Sequence, residues 1–170
     1  MRHRQVDEGF AWVFKAEGVD AQVARLKEWA KMSQSVVPIV RIGVGAEKPE
    51  WNLPEGMPTT GIKIQDDIPE GMGETTLQLE WRRIKGFITP GSNMNNLNQV
   101  RREQVWCNIL EGIHHTEAKL LTAVKDGKLL EMYPQLEPLL EPIGITEYNK
   151  PTKAKPKRKA RAKKSVKKAS

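Results

Sequence analysis

The sequence predicts a mainly α protein: a small helical domain with a long Pro/Gly-rich connector, followed by a disordered polycationic C-terminal tail. Three observations lead there. Apolar residues recur every three or four positions through most of the body, which is the helical period. Glycines and prolines crowd into one internal stretch and break every regular pattern there. Lysine and arginine then dominate the end of the chain with no acidic residue among them. The boundaries that follow are a body at 1–149, containing an irregular connector at 43–75, and a tail at 150–170.

Within the body, residues 5–43 read as helical. Phe10, Val13 and Phe14 share one face, and after Gly18 the series Val19, Val23, Leu26, Ala30 repeats at helical spacing, with Asp20 as the expected N-cap. Ser33 or Ser35 is expected to cap a third, short helix with Pro38 in its first turn. The β-branched run Val36, Val37, Ile39, Val40, Ile42 leaves a strand as the alternative. The connector is too long for a simple loop, so it either packs across the helices through Trp51, Leu53 and Ile62 or serves as a binding segment.

Helical spacing returns at 76–88 with Leu77, Trp81, Ile84 and Ile88, capped by Thr75 or Thr76 and ended by Pro90-Gly91. After a polar stretch, Ser92 to Asn98, a longer helix carries Val105, Trp106, Ile109, Leu110 and Ile113 and stops near Gly112. Thr116 is expected to cap the next, with Leu120, Leu121 and Val124 inside and Gly127 as its stop. Pro134 opens a last short helix through Leu136, Leu139 and Leu140. This makes five to seven short helices and no internal repeat. Five of the ten aromatic residues are tryptophans, and these anchor the expected core.

Charge divides the chain in two. The net charge is +7, yet the tail alone holds eleven cations (Lys150, Lys153, Lys155, Lys157, Arg158, Lys159, Arg161, Lys163, Lys164, Lys167 and Lys168), so the body carries −4. A mildly acidic body does not hold a phosphate backbone by its overall field, whereas the tail can. These eleven residues are the candidate nucleic-acid contacts, with DNA preferred over RNA. The tail has too little apolar surface to offset its conformational entropy, so it is expected to be disordered when free. Its composition resembles the tails of linker histones and bacterial histone-like proteins.

Other constellations read as structure. Arg82, Arg83, Lys85, Arg101 and Arg102 lie near Trp81 and Trp106, a mix that occurs on nucleic-acid surfaces. The tryptophans fall on apolar stripes, however, and so read as core. Cys107, Glu111 and His114 or His115 have zinc-compatible atoms at helical spacing, but Gly112 interrupts the helix and a fourth ligand is absent. Cys107 therefore reads as a small core residue, and the same residues make no convincing Cys–His nucleophile. The acidic loop Asp66, Asp67, Glu70, Glu74 lacks calcium-loop spacing, and Gly43-Val-Gly-Ala-Glu47 is not a phosphate loop. No metal, cofactor or enzymatic activity is expected. The one cysteine fits a reducing compartment, and no apolar run is long enough to cross a membrane.

Three stretches carry a family resemblance: Asn52-Leu-Pro-Glu-Gly-Met-Pro58, Leu79-Glu-Trp-Arg-Arg-Ile84, and the long block from Arg101 to Leu129 containing Leu110-Glu-Gly112, His114 and Ala123-Val-Lys-Asp126. Together they resemble a family of short uncharacterised proteins of tailed bacteriophages, including myoviruses of marine cyanobacteria, over roughly residues 5–143. The chain departs from that pattern at His115, where members carry proline, and in its basic tail. The resemblance implies a phage origin and a life in the host cytoplasm, with virion association as a variant; it implies no activity and transfers no functional residues. The expected function is a non-enzymatic phage accessory protein that binds nucleic acid non-specifically through its tail, its body docking a phage or host protein. The alternative is a protein-interaction or virion component whose tail is a solubiliser or a packaged-DNA contact.

Overall fold

A computed structural model describes residues 5–58, 62–64, 67–69, 72–88 and 92–151. Among the described residues eight α-helices form the body: α1 (Val6–Phe14), α2 (Val19–Met32), α3 (Val36–Gly43), α4 (Leu77–Ile84), α5 (Gln99–Gly112), α6 (His115–Lys125), α7 (Leu129–Met132) and α8 (Glu137–Leu140). Short 3-10 turns follow α4 and flank α8. No strand occurs among the described residues.

Helix α6 lies at the centre, packed against α1, α3, α5 and α7. Its Ala118, Leu120, Leu121 and Val124 are fully buried, and each buried leucine or valine contributes about 1.5–3 kcal/mol of transfer free energy. Two close approaches set the spacing of its neighbours. Trp29 lies so near α1 that a Cβ on Gly9 would sit 2.2 Å from the indole, and a Cβ on Gly43 would sit 2.7 Å from Leu129. Both positions exclude any larger residue.

The short apolar run is a helix, not a strand. Val36, Ile39, Val40 and Gly43 are buried at helical spacing, and Pro38 presets the backbone of the first turn. Asp20 lies in the first turn of α2 instead of capping it. The N-cap is Gly18 at φ 87°, a left-handed conformation that glycine reaches without a Cβ penalty. Thr76 does cap α4, its hydroxyl accepting from Leu79 N–H, but that helix tightens into a 3-10 turn after Ile84. Helix α6 begins one residue before the expected cap: His114 is the N-cap, and its ring accepts from Thr116 N–H at 3.3 Å. At the other end Gly127 adopts φ 69°, with Lys128 N–H on Ala123 C=O at 2.8 Å and Gly127 N–H on Val124 C=O at 3.2 Å. That pair of bonds satisfies the last carbonyls of α6. The one-turn α7 was not expected, and the segment after Pro134 is broken into turns instead of running as one helix.

The described parts of the connector pack across the helices. Trp51 meets Trp106 edge-on at 5.8 Å between ring centroids, and Phe87 meets the other side of that contact at 5.2 Å. Backbone polar groups of the connector find side-chain partners on α5 and α6: Lys63 N–H donates to Glu111 (2.8 Å), Gly56 N–H to Asp126 (3.0 Å), and Lys125 Nζ donates to Pro54 C=O (2.7 Å).

A buried carboxylate joins three helices. Glu117, in the first turn of α6, is fully shielded from solvent. One of its oxygens accepts from Val6 N–H at 2.8 Å and the other from Leu77 N–H at 2.9 Å, so it terminates both α1 and α4. First-turn amides lack intrahelical partners, and a carboxylate there also complements the helix dipole. Beside it, Thr116 Oγ1 donates to Asp7 at 2.9 Å. Burial outweighs the two amide bonds and, with Asp7 and Glu8 nearby, pushes Glu117 up to about 7.

Two predictions follow from this core. Because the folded-state value lies above the ordinary carboxylate value of 4.5, the native state holds the proton more tightly than the unfolded chain. The resulting stabilisation is complete below pH 4.5 and is lost as pH rises through about 7, a change of roughly 3 kcal/mol. Glu117→Gln removes that titration, so the stability difference between wild type and variant, from urea unfolding at pH 5 and pH 8, is expected to shift in the variant's favour at the higher pH; parallel profiles would refute the assignment. Trp106→Ala empties a site between Trp51 and Phe87 and is expected to cost about 3–5 kcal/mol in the same assay, whereas an unchanged midpoint would place the indole at the surface.

Candidate functional site

Of the eleven tail cations, Lys150 is the one within the described residues, and it is exposed. Lys153, Lys155, Lys157, Arg158, Lys159, Arg161, Lys163, Lys164, Lys167 and Lys168 lie outside them, as does the expectation of disorder over 152–170. The structure does place the root of the tail. Asn149 N–H donates to Val44 C=O at 2.7 Å, and its side-chain amide donates to Gly127 C=O at 3.3 Å. The basic segment therefore departs from the body beside the C-terminal ends of α3 and α6.

The basic group of the body is not one surface. The Arg102 guanidinium donates to four carbonyls, those of Asn52, Met94, Asn95 and Leu97, at 2.8–3.3 Å. It staples the connector to the turn before α5. Arg83 pairs with Glu80 (3.2 Å) and Arg101 donates to Gln104 (3.0 Å). Elsewhere Arg41 pairs with Glu47, and Arg25 donates to Trp12 C=O while lying 5.1 Å above the Trp12 ring. Of the six arginines among the described residues, Arg82 alone has no hydrogen-bond or ion-pair partner there. Trp81 and Trp106 are buried, as their place on the apolar stripes implied.

The zinc-compatible residues are put to other uses. His114 is buried, with Nε2 3.0 Å from Ile68 C=O and Nδ1 2.8 Å from Thr116 Oγ1. A carbonyl can only accept, so Nε2 carries the proton. Glu111 holds Lys63 N–H. Cys107 is half-buried, and burial first, then the charges of Glu111 and Glu103, raises its thiol above the ordinary range, leaving a poor nucleophile at neutral pH. Among the described residues no three His, Cys, Asp or Glu side chains converge as metal ligands. In the acidic loop, Asp67 and Glu74 are exposed, while Asp66 and Glu70 lie outside the described residues. The Gly43–Glu47 segment is the end of α3, with the amides of Ala46 and Glu47 both on Arg41 C=O.

Sequence reasoning missed Glu117, the carbonyl cage around Arg102, and the Lys125–Asp126 pair, 2.6 Å apart with both side chains buried. For Arg102 a signal existed: an arginine closing a Ser/Asn-rich stretch, whose irregular backbone needs donors for its carbonyls. Glu117 looks in sequence like an ordinary first-turn acid.

A family model described as a family of unknown function (DUF6433) matches residues 13–131, from the end of α1 through α7. No curated protein and no solved structure shows significant similarity to the chain. No helix among the described residues is long and apolar enough to cross a membrane.

The cage around Arg102 separates structural from binding arginines. Arg102→Ala is expected to lower stability by about 1–3 kcal/mol, since it leaves four carbonyls without their donor, and to leave the nucleic-acid affinity of the folded protein unchanged. Lost affinity at unaltered stability would return Arg102 to a phosphate-binding surface.

Proposed function

The chain belongs to this family of unknown function, and we propose that it is a non-enzymatic phage accessory protein that grips nucleic acid, DNA ahead of RNA, through its basic tail. The observation that carries this reading is the charge partition, eleven cations on residues 150–170 against −4 on the rest. Lysines and arginines of this density bind polyanions by releasing condensed counterions, with little dependence on base sequence. Two features of the body support the same division of labour. Its arginines are mostly consumed by internal partners, and the tail root is anchored through Asn149. The phage origin rests on the resemblance of the Asn52–Pro58, Leu79–Ile84 and Arg101–Leu129 stretches, and with it go action in the host cytoplasm or carriage in the virion.

A second reading has its own support. Leu79 on α4 and Val100 on α5 are 74% and 79% exposed, and each is an apolar side chain that a protein partner of the body would cover. In that case the tail would be a solubiliser or a contact to packaged DNA.

If six to eight tail cations reach duplex phosphates, the slope of log affinity against log salt is expected to be about −5 to −7. Scrambling the duplex sequence should change little, and deleting residues 150–170 should abolish most binding in a fluorescence-anisotropy titration. Undiminished binding by the truncated chain would defeat the tail assignment. Absence of binding to DNA and RNA at low salt, where attraction is least screened, would favour the protein-interaction reading.

A further inference from the structure

One cleft in the body has the chemistry of an anion site. It has a volume of 530 Å³ and lies between the C-terminal end of α2, the turn into α3 and the outward side of α4. Arg82 and Lys85 line it together with Ser33, Ser35, Gln78 and Trp81, and no Asp or Glu is among its lining residues within the described part of the chain. The hydroxyls are already ordered: Ser33 Oγ lies 3.0 Å from Ser35 Oγ and donates to Gln78 Oε1 at 2.9 Å. Ser35, beside α3, does not spend its side chain on capping that helix.

Arg82 makes this more than a polar hollow. Every other described arginine satisfies its guanidinium on a carbonyl, an amide oxygen or a carboxylate of the protein. Arg82 does not, although Glu80 lies two residues away, because Glu80 turns to Arg83. An unpaired guanidinium beside a second cation, against the apolar walls of Trp29 and Trp81, offers forked donors to a tetrahedral oxyanion. Leu79, 74% exposed on the same cleft, adds an apolar face beside those donors. The volume falls in the range of small-ligand sites, about 300–1,000 Å³, and suits one nucleotide better than a duplex.

We propose that this cleft binds a phosphate group, with the Arg82 guanidinium as its principal contact and Lys85 as a second cation at its rim. Its expected source is a nucleotide or the terminal phosphate of a polynucleotide. As a nucleotide site it rests on the nucleic-acid reading above and adds to the tail a contact that recognises an end.

The test uses the full chain, titrated separately with inorganic phosphate, adenosine monophosphate and a short 5′-phosphorylated single strand, and read by amide and indole NMR shifts. Saturable shifts are expected at Ser33–Val36 and Gln78–Lys85. Arg82→Ala should weaken binding about tenfold, the loss of one charge-assisted contact, while Arg101→Ala, whose side chain is engaged with Gln104, should leave it unchanged. Adenosine monophosphate binding more tightly than phosphate supports a nucleotide source, and equal affinities support the free ion. Shifts confined to residues 150–170, or unaltered binding by Arg82→Ala, would overturn the site. A mononucleotide is too small to bridge many tail cations, so failure here and failure of salt-dependent duplex binding are separate results.

Discussion

The fold depends on what happens at the first turn of α6. A first-turn glutamate ordinarily reaches back to its own helix's cap; Glu117 instead reaches outward and supplies the N-terminal acceptor for both α1 and α4. Those two helices are separated by more than sixty residues of chain, and a single side chain accepts a first-turn amide from each, at α4 beside the Thr76 cap. Thr116 and Asp7 repeat the α1 connection one residue earlier. The cost is an acid held in the core, and the upward pressure of burial on Glu117 expresses it. The return is that two buried helix starts are satisfied without water, which an apolar residue of similar size could not do.

The opposite end of α6 is fastened in a different way. Lys125 and Asp126 are buried as a pair, and neither charge is left to the pair alone: Lys125 also donates to Pro54 C=O and Asp126 accepts from Gly56 N–H. A buried ion pair seldom repays its desolvation by mutual attraction, so its contribution is better understood as positioning. It holds the Gly/Pro-rich connector against α6 while Trp51 enters the core from that side. Gly127 ends the helix and presents its carbonyl to Asn149, so connector and tail root are both tied to the same terminus.

That arrangement bears on function. The body uses its polar groups inwardly, to end helices and to hold irregular backbone. Its arginines follow the same economy, and Arg102 is the clearest case, since its partners are four carbonyls of its own chain. By count the net positive charge is concentrated in the tail, and among the described arginines of the body Arg82 is the one without an internal partner. On the proposed reading the tail's charge grips a polyanion, and the folded faces of the body stay available to another molecule.

The helices were largely legible in the sequence because an amphipathic stripe is a local property: Leu77, Trp81, Ile84 and Ile109, Leu110 announce their buried faces through spacing alone. The division of charge was equally legible, since it needs only a count. Local reading failed where a cap depends on conformation, as at Gly18, which displaced Asp20, and at His114, which displaced Thr116. It also could not settle whether Val36–Ile42 was strand or helix, a choice decided by packing against α6 and α7 with Pro38 in the first turn. The long-range polar contacts were beyond it altogether. Glu117 to Val6, Arg102 to Asn52 and Lys125 to Pro54 span from fifty to more than a hundred residues, and no local pattern encodes which distant amide or carbonyl will face a given side chain. Composition and periodicity determined that this chain would be helical, acidic in its body and basic at its end; tertiary structure decided which of its charges are left for a partner, because only packing determines which polar groups must be satisfied from within.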